Sequence, residues 1–95
     1  MNNKIQYRLR VPAETVDLIK NLHPGIKRKV RAALEIIMSD PHAGKALQAE
    51  LEGLLTYRVG RLRVVYRVPS RRVIEIVAIG PRKTIYQETY RLVRK

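Results

Sequence analysis

Two arginines are predicted to face each other across a hairpin in the stretch 57–68, whose sequence is YRVGRLRVVYRV. Gly60-Arg61 fits a two-residue type II′ turn, in which glycine takes the first central position. This register places Arg58 opposite Arg63. Like charges directly opposite on paired strands destabilise a sheet by up to ~1 kcal/mol. We therefore interpret this face as an anion-binding surface and regard an ordinary solvated basic face as the alternative.

A second group of cations follows the next predicted strand. The segment Gly80-Pro81-Arg82-Lys83 adds two positive charges, and Tyr86 lies four residues beyond Arg82. If this tail is helical, Arg82 and Tyr86 share one face. A tyrosine beside arginines can stack on a base while the guanidinium groups bind phosphate, as in recognition of single-stranded RNA. Core packing of Tyr86 is the competing interpretation.

The positive charge is concentrated in the second half of the chain. The formal net charge of the 95 residues is +12. Residues 1–53 hold 9 basic and 6 acidic side chains (net +3), whereas residues 54–95 hold 11 basic and 2 acidic ones (net +9). This distribution indicates a polyanionic partner, with nucleic acid as the leading candidate and an acidic protein as the alternative.

Several classes of site are disfavoured by composition. The absence of cysteine excludes disulfides, thiolate catalysis and cysteine-based metal sites. Both histidines, His23 and His42, adjoin prolines in predicted loops, so we expect neither a metal site nor a cofactor. No apolar segment approaches the ~20 residues of a membrane span, and the start lacks the apolar core of a signal peptide. We expect a cytoplasmic protein with one domain over residues 1–95.

The first half predicts a strand and a helical hairpin. Apolar residues alternate, as in a half-buried strand, at Ile5, Tyr7, Leu9 and Val11. Pro12 suits the first turn of a helix that ends before His23. A second helix is predicted over 25–39, with an apolar stripe formed by Ile26, Val30, Ala33, Leu34 and Ile37. Asp40-Pro41 ends it, and residues 42–53 are predicted to form a connecting segment, with or without a turn of helix.

The second half predicts an antiparallel meander of strands over 54–59, 62–68 and 72–79. The hairpin then has a core face formed by Tyr57, Val59, Leu62, Val64, Tyr66 and Val68. Its other face carries Thr56, Arg58, Arg63, Val65 and Arg67. Residues 84–93 could form either a helix capped by Thr84 or an extended segment. The predicted fold class is α+β: a strand, a helical hairpin, three antiparallel strands and a short tail.

Two motifs give the chain a family resemblance. The run RVGRLRVVY at 58–66, followed after a strand by IGPRKTIY at 79–86, resembles the RelE/ParE superfamily of bacterial type II toxins. The resemblance extends to the helical hairpin and the Asp40-Pro41 break. It implies a fold like that of the microbial RNases. On the RelE side, it also implies metal-independent cleavage of messenger RNA in the ribosomal A site.

The resemblance also assigns roles to individual residues. Arg63 matches the strand arginine that contacts the scissile phosphate, and Arg82 matches the arginine after the family's glycine. Arg58 falls on a basic strand position, and Tyr86 falls on the tyrosine that stacks on a base or assists proton transfer. We take these four as catalytic candidates. Further RNA-binding candidates are Lys45, Arg61, Arg67 and Lys83.

The sequence departs from the family pattern at two positions. Thr56 stands where a catalytic lysine or arginine is frequent, and Pro81 stands where many members have histidine. Arginine is effectively always protonated, so Lys45, Lys83 and Tyr86 remain the candidate proton acceptors. Three functions are compatible with the residues: an mRNA-cleaving toxin, a ParE-like inhibitor of DNA gyrase, and a non-enzymatic module that binds RNA or ribosomes. Both toxin functions imply an acidic antitoxin partner, and the first also implies the ribosome and mRNA.

Overall fold

The computed structural model describes residues 7–93, and Ile5 of the predicted first strand lies outside this range. The strands are β1 (Arg8–Arg10), β2 (Lys45–Ala46), β3 (Leu55–Val59), β4 (Leu62–Ser70) and β5 (Val73–Pro81). The helices are α1 (Ala13–Lys20), α2 (Pro24–Ser39) and α3 (Arg82–Val93). Two short 3₁₀ turns, at Pro41–Ala43 and Ala49–Leu51, flank β2. The segment predicted as a connection therefore contains an additional edge strand.

The five strands form one sheet in the order β1-β5-β4-β3-β2. Strands β3, β4 and β5 form the predicted antiparallel meander, and β2 pairs antiparallel with β3. Strand β1 pairs in parallel with β5. The chain between them contains α1, α2 and strands β2 to β4. The α+β class is confirmed, with a wider and mixed sheet.

Helices α1 and α2 lie on one face of the sheet. The buried stripe of α2 is the predicted one, Val30, Ala33, Leu34 and Ile37, and it packs against residues of the sheet that include Val64, Tyr66 and Ile76. Ile26 was assigned to the same stripe, but it is 42% exposed. His23 caps α2, because its Nδ1 accepts a hydrogen bond from the Gly25 N–H at 3.1 Å. The cap thus fixes the start of α2, and the apolar stripe holds the helical hairpin on this face of the sheet.

The opposite face of the sheet is partly covered by α3. Ile85 of this helix packs with Leu54, Val65 and Ala78 in a second buried cluster. Val65 was assigned to the open arginine face; it does lie on that face, but it is fully buried. The tail is helical, and it begins at Arg82 rather than after a cap at Thr84. The arginine face is therefore open only where α3 does not reach.

Val68 does not belong to the core. It was assigned to the core face of the hairpin, yet it is 36% exposed. The pairing of β4 with β5 shifts between Val65 and Tyr66 and again between Arg67 and Ser70, so strict alternation does not extend to the end of β4. The first half of β4 keeps the predicted pattern.

Within residues 7–93, none of the helices has the length and apolar character required to cross a membrane.

Candidate nucleic-acid cleft

A basic cleft of about 570 Å³ opens beside the β3–β4 hairpin, next to the start of α3. We call it the arginine cleft. Its lining is formed by Ala43, Lys45, Thr56, Tyr57, Arg58, Arg63, Arg82 and Tyr86. The lining contains four cations and no carboxylate. All four catalytic candidates, and Lys45 from the RNA-binding candidates, are therefore brought together in one cleft.

The turn of the β3–β4 hairpin sets the first two arginines. Gly60 has a φ of +60°, as the first central position of a type II′ turn requires. The register pairs Val59 with Leu62 and Arg58 with Arg63, as predicted. Arg58 is exposed and Arg63 is half-buried. The two guanidinium groups therefore extend from neighbouring strands on the same face of the sheet.

Two other strand ends bring Arg82 and Lys45 into the cleft. Strand β5 runs antiparallel to β4, with Gly80 opposite Arg63, so the chain enters α3 at Arg82 beside the hairpin. On the far side, Lys45 pairs with Thr56 across β2 and β3. The sheet therefore gathers cations that are separated by up to 37 positions in the sequence, from Lys45 to Arg82.

Tyr86 occupies the helical side of the cleft. It is four residues from Arg82 in α3, and both side chains line the cleft, in agreement with the prediction for a helical tail. Its ring is half-buried against the second core cluster, and its hydroxyl donates to the Thr56 Oγ1 at 3.4 Å. Thr56, which departs from the family pattern, therefore makes a long, weak hydrogen bond with the tyrosine inside the cleft.

A buried tyrosine fixes the loop that forms the wall of the cleft. The Tyr66 hydroxyl donates to the Pro41 carbonyl oxygen at 2.7 Å and accepts from the Gly44 N–H at 2.9 Å. A Cβ at Gly44 would lie 2.5 Å from that hydroxyl and 2.9 Å from the Thr56 carbonyl oxygen, so only glycine fits. We call Tyr66 and its two bonds the Tyr66 latch. Gly44, which the latch holds, directly precedes Lys45, so the latch sets where that lysine enters the cleft.

The latch also changes the titration of the tyrosine. Burial raises the pKa of Tyr66 above its ordinary value, and the negative charge of Asp40 and the neighbouring Tyr57 act in the same direction. The hydrogen bond from Gly44 lowers the pKa and offsets part of this effect. The hydroxyl therefore stays protonated, as donation to Pro41 requires. Sequence reasoning placed Tyr66 in the core and missed this role, because its partners are 22 and 25 residues away.

Three of the RNA-binding candidates lie outside the cleft. Arg61 is exposed in the hairpin turn, and Lys83 is exposed in the first turn of α3, and neither lines the cleft. Arg67 forms an ion pair with Glu75, whose Oε1 lies 2.7 Å from the arginine Nε. Its charge is partly neutralised, and it lines a different groove beside Glu50 and Glu52.

The cations of the cleft have no carboxylate partners among the described residues. Over residues 7–93, the ion pair of Arg67 with Glu75 is the only one. Clustered cations without counter-charges produce a positive potential that is strengthened by the low dielectric of the surrounding protein. The arrangement can bind a phosphate, stabilise negative charge that develops on it, and stack a base on Tyr86.

Comparison with known proteins relates this architecture to toxins. A family model described as "ParE toxin of type II toxin-antitoxin system, parDE" matches residues 5–86. Among proteins with curated descriptions, none matches at a significant level. The RelBE2 toxin–antitoxin complex from Mycobacterium tuberculosis contains a chain that is 25% identical, with a TM-score of 0.71. The match covers 86% of the present chain and 98% of that chain.

Two more solved structures share the fold at lower identity. A mutant of the Escherichia coli toxin RelE in its free state has a TM-score of 0.72 at 16% identity, with 94% of the present chain and 96% of RelE covered. A YoeB/ParE toxin from Agrobacterium tumefaciens has a TM-score of 0.66 at 18% identity, with 78% and 97% covered. The family model spans most of the sequence and contains every residue of the arginine cleft. The chain therefore belongs to the ParE toxin family of type II toxin–antitoxin systems, within the RelE/ParE superfamily.

Proposed function

We propose that this toxin inhibits translation by cutting messenger RNA in the A site of the ribosome. The observation that carries the proposal is the arginine cleft, where Arg58, Arg63 and Arg82 lie around one opening with Tyr86 at its side. A surface that only binds a polyanion needs cations alone, whereas cleavage also needs a group for proton transfer beside them, for which Tyr86 is a candidate. The cleft combines both features.

The reaction transfers the phosphoryl group from the 5′-oxygen of one nucleotide to the 2′-oxygen of the nucleotide before it. The ribose 2′-oxygen forms a bond to the adjacent phosphorus, the bond from phosphorus to the 5′-oxygen breaks, and a 2′,3′-cyclic phosphate results. One proton leaves the 2′-hydroxyl and one proton reaches the 5′-oxygen. Arg63 and Arg82 stabilise the charge on the phosphorane oxygens, for which the loss of one such donor typically costs about 10²–10³-fold in rate.

Two groups in the cleft are available for proton transfer. Of the three candidate acceptors, Lys45 and Tyr86 line the cleft and Lys83 does not. The ring of Tyr86 is also placed for stacking. Replacing Tyr86 with phenylalanine keeps the ring and removes the hydroxyl, so it separates these two roles: a stacking residue loses little activity, and a proton-transfer residue loses about 10²-fold or more.

Primer extension on a translated reporter mRNA, in a purified translation system, tests the proposal. We expect cuts only within translated codons, and we expect them to be lost with Arg63→Ala or Arg82→Ala. Arg71→Ala is the matched control, because it removes the same charge from the exposed turn at the opposite end of β4. Full cleavage by a folded Arg63→Ala/Arg82→Ala double variant would exclude the arginine cleft as the site of RNA cleavage.

Inhibition of DNA gyrase is the second candidate function. The family model that matches is the ParE toxin model, and the lining of the cleft contains neither an imidazole nor a carboxylate that could act as a general base. A supercoiling assay with purified gyrase distinguishes the two functions. Inhibition of supercoiling, with no cuts in translated mRNA, would replace the nuclease proposal and make the arginine cleft a binding surface.

We also propose that the partner is an acidic antitoxin. The RelBE2 relative was solved as a toxin–antitoxin complex, and a net charge of +12 favours an acidic chain. Co-purification of the toxin with the acidic product of an adjacent gene tests this. Binding that neutralises the cleft should weaken after Arg58→Ala/Arg63→Ala more than after the control Arg71→Ala.

A further inference from the structure

A second group of cations lies on the outward face of α2. It consists of Lys27, Arg28 and Arg31, and we call it the α2 basic face. Arg28 and Arg31 are exposed, and Lys27 is half-buried. Over the described range 7–93, none of the three has a carboxylate within ion-pair distance. Positions 27 and 31, like 28 and 31, are neighbours on a helix surface, so the three charges form one patch.

The placement of these charges is not one that the helix dipole favours. The N-terminal end of a helix carries a partial positive charge that favours acidic residues, and the C-terminal end favours basic residues. Helix α2 has no acidic residue in its first turn and no basic residue in its last turn. Its three patch cations lie in the first half, and its single acidic residue, Glu35, lies in the second. Glu35 is four positions from Arg31 but makes no ion pair with it within residues 7–93, so neither the helix dipole nor an ion pair accounts for the patch.

The α2 basic face is separate from the arginine cleft. Helix α2 packs through Val30 and Ile37 against the face of the sheet that carries Val64 and Tyr66. The arginines at 58 and 63 belong to the opposite face, which carries α3. The shortest principal extent of the molecule is 22 Å. The toxin thus presents positive charge on two opposite sides of the molecule.

We propose that the α2 basic face binds the phosphate backbone of structured RNA while the arginine cleft holds the strand to be cut. This rests on the proposed function, because a toxin that works inside a ribosomal site has ribosomal RNA around it. Contacts to a nucleic-acid backbone need only cations and hydrogen-bond donors. A docked acidic helix would also need apolar anchors among the charges, and neither exposed isoleucine of α2, Ile26 or Ile36, lies three or four positions from a residue of the patch. The patch therefore fits phosphates better than a protein.

Salt-dependent binding to a plain RNA duplex of about 16 base pairs tests the proposal without requiring cleavage. The variant is Arg28→Gln/Arg31→Gln. The matched control is Arg71→Gln/Arg91→Gln, which removes the same charge from exposed positions outside both surfaces. The slope of log K against log salt is negative, and each lost phosphate contact should make it shallower by about 0.9, hence by about 1.8 for two contacts. With equal affinities extrapolated to ~1 M salt, that is about a 60-fold loss of affinity at ~0.1 M salt.

Folding is measured in parallel. Because both arginines are exposed and make no ion pair within residues 7–93, the variant should unfold at nearly the same temperature as the original chain, and a loss of RNA binding at that temperature cannot then result from unfolding. In the translation assay the cut positions should be unchanged, and a higher toxin concentration should be needed for half-maximal cleavage. Retention of duplex binding with no cleavage by any form would refute the proposed function and leave the α2 basic face intact.

Two outcomes would overturn the inference. Equal slopes for the variant and its control would show that only the net charge matters. Unchanged binding to the duplex, together with weaker binding to the acidic antitoxin, would assign the patch to the protein partner instead.

Discussion

The Tyr66 latch provides the most direct test of how the cleft is built. We predict that Tyr66→Phe destabilises the fold and reduces cleavage, although the ring itself remains in the core. The tyrosine has 0% exposure, and its hydroxyl bonds to the Pro41 carbonyl and the Gly44 N–H at 2.7 and 2.9 Å. The next residue, Lys45, lines the cleft. Loss of the two bonds should therefore release the wall that carries this lysine.

The magnitude follows from the two unpaired groups. The net contribution of one hydrogen bond is about 0.5–1.5 kcal/mol, and a buried group left without a partner costs about 1–3 kcal/mol. The Pro41 carbonyl is buried at this contact and the Gly44 N–H is partly buried. We expect a loss of about 2–3 kcal/mol in the free energy of unfolding. For a domain of this size the melting temperature should fall by roughly 10–20 °C.

Thermal unfolding followed by circular dichroism measures this change. The control is Tyr57→Phe, because the Tyr57 hydroxyl makes no hydrogen bond within the described residues and the ring is half-buried. The control should change the free energy of unfolding by less than about 0.5 kcal/mol. If both variants unfolded at the same temperature as the original chain, the latch would contribute nothing and the account of the cleft wall would be wrong.

Two more predictions follow from the same contacts. Burial raises the pKa of Tyr66 above its ordinary value of 10.0, so the unfolded chain loses this proton at a lower pH than the folded chain. The contribution of Tyr66 to the free energy of unfolding is therefore fully present below pH ~10 and declines as the pH rises further. Tyr66→Phe should remove that part of the decline in pH-dependent denaturation curves, and an unchanged decline would contradict the assignment. Arg58→Thr removes one of two like charges that face each other across β3 and β4. Urea unfolding should therefore show a gain of a few tenths of a kcal/mol in the free energy of unfolding, and cleavage should be lost. A destabilised variant would contradict the repulsion.

The local pattern predicted much of the meander and the helical hairpin. The register of the β3–β4 hairpin followed from the turn at Gly60 and the apolar alternation around it. A two-residue turn there leaves one pairing that puts the apolar residues on one face. The end of α2 followed from Asp40-Pro41, since proline excludes the helical conformation at the residue before it. Because the meander was correct, the pattern alone placed Arg58 and Arg63 on one face, and Arg82 was added to them by the family resemblance. Tyr86 required the tail to be helical, which the pattern left open.

The remainder depended on contacts between distant parts of the chain. The edge strand β2 has two residues, too few for any period, and it exists because Lys45 and Ala46 find partners on β3. Val65 is buried only because α3 returns over the sheet. Arg67 was assigned to RNA binding from its position on the strand, and its ion pair with Glu75 depends on a neighbouring strand. Alternation specifies the face of a strand and does not specify what covers that face.

The features assigned to function share one energetic property. The facing pair Arg58 and Arg63 and the clustered cations of α2 both oppose the isolated fold through the repulsion of like charges. Two buried clusters, one on each face of the sheet, offset this cost. A polyanion that binds these surfaces relieves the repulsion only in the folded state, so it stabilises the protein by RT ln(1 + [L]/Kd). The same charges that we propose bind RNA should therefore make an acidic antitoxin a stabiliser of the toxin.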